Sequence, residues 1–325
     1  MTDPGSQSTF CLKRYALGRQ PSIQITEPEY RAIVSAKQRV LDSLVAEELL
    51  DLLMGNYEDF ERELLALALR QAIYMGAEEE WSDSIDTIQL VSRRLANFLS
   101  TAQGYCDQVP HLVSSLFGRD SDQLASIRAA FSHEYDSVLG YRVCTELRRY
   151  VQHRGMAVHG YSGASKWIDR PDGRHVRIYS FAPEISVVRL KEDSRFKAAV
   201  LDALEATGRL IQSSGDRVCD VRPFVRDYVS ALGRIHLKLR ALVVDDTIRH
   251  DSIILDAIQR YSALPAFDGL IGLAAMELNE RGLREGHNPT FVMREPIDRR
   301  LQLARKNHLP THFDTQVITN ELELS

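Results

Sequence analysis

Hydrophobic residues along most of the chain recur at steps of three and four, the spacing of one face of an α-helix. A capping box at residues 26–29, with proline in its first turn, predicts the start of the first helix. We predict that this helix ends at Gly55-Asn56, that a second is closed by Gly76, and that a third begins near Ser82 or Ser84. The short connections predict antiparallel neighbours and therefore a helical bundle.

A fourth helix is predicted from Asp120 or Ser121 to Gly155, because glycine commonly ends helices. Its apolar residues form one column with a spacing of four: Ile127, Phe131, Tyr135, Leu139, Val143, Leu147 and Val151. Such a column drifts by about 40° per step around an ideal helix. We therefore expect this helix to contact several neighbours at the centre of the bundle.

The pattern changes between residues 160 and 190. A strong turn signal at residues 170–174 is flanked by Lys166-Trp167-Ile168 and by the alternating residues 176–179. A third run covers residues 185–190. This pattern predicts a small antiparallel β-meander.

Helical spacing returns over residues 196–206, 221–261, 269–281 and 297–307. The first 25 residues are mostly polar and show no sustained period, so we expect an irregular arm there. The predicted fold is mainly α, a helical bundle with a small antiparallel β-meander insertion. Its predicted segments are an arm (1–25), a helical bundle (26–160), the insertion (161–192) and a C-terminal helical region packed on the bundle (193–325).

Composition narrows the class of protein. The chain has 325 residues, 44% hydrophobic and 26% charged, which is typical of a folded globular protein. Its net charge of −5 excludes a protein that coats nucleic acid by bulk positive charge, but it allows a local basic patch. There is no apolar run long enough for a membrane span, no secretory h-region and no CxxC pair. We therefore expect a cytoplasmic protein without membrane association.

Several familiar catalytic patterns are absent. The sequence contains no glycine-rich phosphate loop and no HExxH or ExxH metal-binding pair. Residues 160–164 approach the nucleophile-elbow pattern but lack its last glycine. We therefore expect neither a metal nor a cofactor.

The remaining candidate is the stretch from Leu147 to Gly155. Arg148 offers a planar fork of donors suited to phosphate oxygens, and His153 follows in the last turn of the same helix. Between residues 142 and 177 there are eight basic residues against three acidic ones, which indicates a docking surface for a polyanion. Five further residues are candidates for contacting this polyanion: Arg149, Arg154, His159, Lys166 and Arg174.

Helix geometry limits how these side chains can cooperate. Arg149 and His153 are four residues apart and share a face. Arg148 and His153 are five apart, which is about 140° around an ideal helix. They can meet on one phosphate only if the last turn loosens or a second copy of the chain contributes. The spacing therefore predicts a homodimer with twofold symmetry.

The pattern of Arg148, a polar residue, three further residues and His153 resembles the signature of the HEPN superfamily of helical bundles. Where that signature usually has Asn, Asp or His, this chain has Arg149. The longer stretch from Leu147 to His159 is also similar to uncharacterised bacterial HEPN-like proteins. The resemblance implies a metal-independent endoribonuclease of the kind found in toxin–antitoxin and anti-phage systems, which dimerises so that two motifs face one cleft.

Carried over to this chain, the resemblance implies RNA cleavage by transesterification. His153 moves a proton at the 2′-hydroxyl or at the leaving oxygen, and Arg148 holds the scissile phosphate with help from Arg149. The expected partners are RNA, a second copy of the chain and an antitoxin protein.

Two alternatives stay open at this point. The same basic surface fits a non-catalytic HEPN-like module that binds RNA, a nucleotide or a protein partner. A structural helical dimer, in which Arg148 and His153 only satisfy the end of their helix, is the third interpretation. An exposed His153 that lies in a cleft and approaches Arg148 of the same chain or of a second copy would favour the first two, whereas a buried His153 bonded to backbone would favour the third.

Overall fold

The computed structural model describes residues 9–74, 81–170, 172–213, 215–265, 267, 269–278, 289–308 and 311–316. The helices in these ranges are α1 (Glu27–Ile73), α2 (Trp81–Phe117), α3 (Asp122–Ser137), α4 (Leu139–His153), α5 (Val187–Lys191), α6 (Ala198–Ala206), α7 (Arg222–Ser262) and α8 (Glu295–Lys306). The strands are β1 (Thr9–Arg14), β2 (Ser22–Ile25), β3 (Gly160–Asp169), β4 (His175–Ser186), β5 (Ile211–Ser213), β6 (Asp216–Asp220), β7 (Leu273–Leu278) and β8 (Thr290–Phe291).

The predicted mainly helical class is confirmed, but the β structure is larger than a small insertion. The strands form two antiparallel sheets of four, in the orders β2-β1-β7-β8 and β3-β4-β6-β5. No helix in the ranges that the structure describes carries an apolar stretch long enough to cross a bilayer.

Residues 9–14 and 22–25 are strands, so the prediction of an irregular arm is wrong for them. β1 pairs with β2 and, on its other edge, with β7, where Cys11 lies opposite Met276. The main partner of β1 is therefore remote in sequence, and a short strand of this kind leaves no long local period. The first eight residues lie outside the described ranges.

The helix predicted over residues 269–281 is also wrong, because this stretch contains strand β7. Leu273, Ala274, Ala275 and Met276 are all buried. A strand that is buried on both faces loses the alternation of polar and apolar residues, and a short apolar run then resembles a helix. Residues 279–281 lie outside the described ranges.

Helix α1 runs without a break through Gly55-Asn56, where the sequence predicted its end. Glycine inside a helix costs only about 1 kcal/mol relative to alanine. The side chain of Asn56 donates to the carbonyl of Leu52 within the helix. One face of the helix is buried continuously on both sides of this point and stabilises it. The buried residues are Leu50, Leu53, Tyr57, Phe60 and Leu64. The predicted stop at Gly76 lies outside the described ranges.

The single helix predicted from residue 120 to residue 155 is two helices. Ser121 caps the start of α3, where its hydroxyl accepts from the backbone N–H of Leu124, as the sequence predicted. Val138 then takes an extended conformation and separates α3 from α4. A Cβ on Gly140 would lie 2.5 Å from the carbonyl oxygen of Phe224 in α7. The break lets the backbone of α4 approach α7 this closely, and α4 also contacts α2, α3 and α6.

The predicted hairpin is confirmed and the predicted third strand is wrong. β3 and β4 pair along their whole length, from Gly160 opposite Glu184 to Asp169 opposite His175. The chain leaves the sheet at Ser186, whose hydroxyl accepts from the N–H of Arg189 and caps α5. The next neighbour of β4 is therefore β6.

The chain divides into two compact units. The first comprises residues 1–49 and 239–308, and the second comprises residues 50–238 and 309–325. In the first unit, the sheet β2-β1-β7-β8 packs with the adjoining parts of α1 and α7 around Leu12, Ile33, Ile254 and Tyr261.

The second unit contains the remaining helices and the sheet β3-β4-β6-β5. Helix α7 is tied to its neighbours there by two pairs of double hydrogen bonds. Arg226 donates to Glu61 of α1 over 2.7 and 2.8 Å. Arg234 donates to Glu134 of α3 over 2.8 and 2.6 Å. The whole stretch from Leu147 to Gly155 belongs to this unit.

Candidate nucleic-acid interface

Helix α4 stays regular to its last residue. It is α-helical through His153, and the N–H of Arg154 donates to the carbonyl of Tyr150 over 2.8 Å. The last turn therefore does not loosen, and Arg148 and His153 leave the helix about 140° apart. A single copy of this chain does not bring the two side chains onto one phosphate.

Arg148 is half-buried and lacks a counter-charge. Its Nε is buried without a hydrogen-bond partner, and within the described ranges no carboxylate forms an ion pair with it. A buried donor without a partner loses its hydration without compensation. An anion bound at the accessible part of the side chain would balance its charge.

Arg149, one residue further, forms an ion pair within the protein. Its Nη1 donates to Glu146 over 2.6 Å, and this carboxylate is completely buried. The other oxygen of Glu146 lies 3.4 Å from the ammonium of Lys197, which also donates to the hydroxyl of Tyr135 over 2.6 Å. The charge of Arg149 is therefore balanced within the protein.

His153 and Arg154 lie at the surface at the end of α4. His153 is exposed, so the buried, backbone-bonded histidine expected for a purely structural helix end is not found, and its ring leaves the helix about 140° from Arg148. Arg154 donates to the carbonyl of Glu192 over 2.8 Å, and its Nε lies 3.8 Å from Asp193. Asp193 also pairs with Arg195 over 3.3 Å.

His159 is held between α4 and the sheet. Its Nδ1 accepts from the backbone N–H of Ser186 over 3.0 Å, so the ring proton sits on Nε2, which lies 3.3 Å from the hydroxyl of Tyr150. Burial, reinforced by the nearby Arg189, lowers the pKa of His159 to about 4. The ring is therefore neutral at physiological pH and supplies no positive charge to a phosphate.

The other two predicted contact residues lie along the hairpin, away from the end of α4. Lys166 is exposed opposite Ile178, about 20 Å along β3 from Gly160 at the usual rise per residue. Arg174 follows the turn, and its Nε donates to Asp172 over 2.6 Å. The predicted basic residues therefore form two groups, one at the end of α4 and one towards the hairpin turn.

The sequence analysis missed an aromatic surface on the same hairpin. The guanidinium carbon of Arg177 lies 5.7 Å from the ring centre of Trp167 and 5.2 Å from that of Tyr179. The alternation over residues 176–179 places Arg177 and Tyr179 on one face. The strand register that sets Trp167 opposite Arg177 could not be obtained from that pattern alone.

A shallow groove between α3 and α7 also escaped the sequence analysis. It has a volume of about 400 Å³ and is lined by Ser126, Ala129, Ala130, His133, Glu134, Arg234, Ile235 and Lys238. Arg234, its central cation, is occupied by the double hydrogen bond to Glu134. The groove therefore lacks a guanidinium with a buried, unpaired Nε, a feature that Arg148 shares with Arg142 of the same helix.

Among the residues that the structure describes, no three His, Cys, Asp or Glu side chains form a group that could hold a metal ion. Comparison of the chain with protein-family models, with curated proteins and with solved structures found no match. The resemblance to the HEPN superfamily therefore rests on the residues around Arg148 and His153.

Proposed function

We propose that this protein binds RNA at the end of α4 and cleaves it as a twofold homodimer, in the manner of the HEPN ribonucleases that it resembles. The observation that carries the proposal is the uncompensated guanidinium of Arg148, on the same helix end as an exposed His153. A phosphate supplies the charge and the acceptor that Arg148 lacks. A growth-arresting toxin or an anti-phage effector is the biological role that this activity fits.

The mechanism uses Arg148 of one copy and His153 of the other. Arg148 binds the scissile phosphate and stabilises the charge that develops on it. His153 removes the proton from the 2′-hydroxyl, whose oxygen attacks phosphorus, and then returns this proton to the 5′-oxygen as the P–O5′ bond breaks. The products are a 2′,3′-cyclic phosphate and a 5′-hydroxyl end, so no water is consumed in this step.

The first prediction concerns these two side chains. His153→Ala should reduce the rate of single-stranded RNA cleavage by about 10²- to 10⁴-fold, the usual contribution of a general acid–base group. Arg148→Lys keeps the positive charge but loses the planar guanidinium that can donate two hydrogen bonds to one phosphate, and it should be nearly as damaging. Cleavage is followed on a labelled RNA in the presence of a chelator, with folding checked by circular dichroism.

Matched controls are available on the surface of the same unit. His111→Ala in α2 and Arg128→Ala in α3 remove an exposed histidine and an exposed arginine away from α4, and both should leave cleavage unchanged. Cleavage that survives His153→Ala, or that stops in chelator, would remove His153 from the mechanism.

The second candidate function is binding of RNA without cleavage. It is favoured by Arg149, which stands where the HEPN signature usually has Asn, Asp or His and which is committed to Glu146. Under this alternative the native protein binds RNA and leaves it intact, and Arg148→Ala weakens binding whereas His153→Ala has little effect. Fluorescence anisotropy of a labelled RNA, read beside the cleavage assay, separates the two functions.

A further inference from the structure

We propose that the hairpin face formed by Trp167, Arg177 and Tyr179 is a stacking site for unpaired bases of single-stranded RNA. The inference deepens the proposed function by naming the class of RNA. It rests on RNA binding by this chain and does not depend on cleavage.

The three side chains share one face of the hairpin. In the register of the two strands, Trp167 lies directly opposite Arg177, and Ser165 lies opposite Tyr179. Since side chains alternate along a strand, Arg177 and Tyr179 project from the same side of β4. Ser165 accepts from both Nε and Nη2 of Arg177, over 3.0 and 2.7 Å, and this fixes the plane of the guanidinium.

The end of this face that is remote from the turn packs against helices α1 and α2. Tyr161 stacks on Phe181 with ring centres 4.9 Å apart, and its hydroxyl donates to Ser84 of α2. Gly163 lies against Gln71 of α1, where a Cβ would meet the amide at 1.6 Å. This end is therefore packed on the helices, and the face emerges into solvent towards the turn.

Trp167 is the clearest sign of an external ligand. Its side chain is 60% exposed although it belongs to an ordered sheet and has a guanidinium held beside it. Every nucleobase has a flat π-face that stacks on an aromatic ring, and arginine adds a cation–π contribution. Arg177 on this face supplies positive charge for a neighbouring phosphate, whereas Lys166 lies opposite Ile178 and projects from the other face. Bases inside a duplex are stacked on both faces and only its two ends expose a base pair, so the partner is single-stranded RNA, in which each base has an accessible face.

Fluorescence of Trp167 provides the direct test. The chain has two tryptophans, so Trp81→Phe leaves Trp167 as the only reporter. We expect a single-stranded adenosine tetranucleotide to quench this fluorescence, because a stacked base contacts the indole. Tripolyphosphate, which has charge but no base, and a blunt RNA duplex should leave it unchanged. If Trp81→Phe does not fold, the comparison of native protein with Trp167→Phe gives the same information, since the quench must disappear in Trp167→Phe.

Affinity is measured beside fluorescence. Trp167→Ala should weaken binding of the tetranucleotide by about 5- to 100-fold, the range expected for the loss of one stacked base. Ile178→Ala is the matched control, because Ile178 is exposed on the opposite face of the same hairpin. It should bind as the native protein does.

Three results would overturn the inference. The first is quenching by tripolyphosphate equal to that by the tetranucleotide, and the second is an equal loss of RNA affinity in Trp167→Ala and Ile178→Ala. The third is a change in Trp167 fluorescence that depends on protein concentration without RNA. The last result would identify the face as a contact between copies of the chain.

His153→Ala should keep the full quench. Quenching by a native protein that does not cleave RNA therefore contradicts the nuclease alone, and cleavage without quenching contradicts the stacking site alone.

Discussion

His159 shows how strongly its surroundings set the behaviour of a single residue. The sequence places this histidine in a loop after a helix, but the fold buries it between Tyr150 and Ser186. Burial lowers its pKa to about 4, whereas an unfolded chain has a histidine pKa near 6.5. Between these two values the unfolded chain binds a proton that the folded chain does not, so acid favours unfolding.

We therefore predict that His159 makes the protein less stable as pH falls from about 6.5 to about 4, by up to about 3 kcal/mol. The contribution is fully present above pH 6.5 and is lost as pH approaches the folded pKa. His159→Asn keeps an acceptor for Ser186 but cannot titrate, so its free energy of unfolding should depend less on pH over this interval. Urea unfolding at several pH values measures the difference.

The control for this experiment is His111→Asn, the same substitution at an exposed site in α2. It should follow the native pH dependence. An unchanged pH dependence in His159→Asn would mean that His159 is not the group that couples acid to unfolding.

The residues of the proposed site could be named from the sequence, but the charge balance around its arginines could not be predicted. The spacing of Arg148 and His153 and the local excess of basic residues were visible in the sequence. Glu146, three residues before Arg149, was visible as well, but Lys197, the residue just before α6, completes that cluster only in the fold. Adjacent residues point about 100° apart on a helix, so two neighbouring arginines enter different environments that no local pattern distinguishes.

At the scale of elements, the contact between α4 and α7 depends on one glycine. A Cβ at Gly140 would lie 2.5 Å from the carbonyl oxygen of Phe224 and 2.6 Å from the Cβ of Asp227. Cys144, one turn later, lies with its Sγ 3.6 Å from the same carbonyl. The close approach therefore involves the backbone of α7, which cannot move aside as a flexible side chain can.

We predict that Gly140→Ala destabilises the protein by about 1–3 kcal/mol, the usual cost of overpacking a well-packed interior. Gly55→Ala is the matched control, because a Cβ at Gly55 meets nothing within 4 Å in the middle of α1. It should stabilise the protein by about 0.5–1 kcal/mol through helix propensity. Urea unfolding of both variants measures the contrast, and an equal effect of the two substitutions would show that the α4–α7 contact is not tight.

Elements with a long local period were predicted well, and elements defined by distant partners were not. Helix α7 and the β3–β4 hairpin follow from periodicity and from the turn at residues 170–174. β1 and β7 pair with each other although almost the whole chain separates them, and neither has a sequence pattern that identifies it as a strand by itself. The break at Val138 could not be predicted either, because the apolar column continues through that position and the close approach of Gly140 to α7 is a contact between residues remote in sequence.

At the scale of the whole molecule, the proposed site requires two copies. A dimer has twice the 36.8 kDa mass of the chain, which light scattering measures directly. In a twofold dimer, each of the two sites takes Arg148 from one copy and His153 from the other. A mass of one chain at micromolar concentration would contradict the paired site.

Mixing two inactive variants tests this arrangement in function. Arg148→Ala and His153→Ala chains should each be inactive, but a mixed dimer contains one site with both native residues. Random exchange should therefore restore about a quarter of the native cleavage rate. If both residues acted within one chain, the mixture would stay inactive.

The pairing of β1 with β7 also has a consequence for the order of folding on the ribosome. At roughly 5–20 residues per second, the ~260 residues between these strands take roughly 13 to 50 s to synthesise. During that time β1 has only β2 as a partner, and an isolated two-stranded hairpin is marginally stable in water. The second unit is built mainly from one continuous stretch, residues 50–238, which is synthesised within this interval. β7 can pair with β1 only after residues 273–278 have left the ribosome, and β8 completes the sheet of the first unit after that.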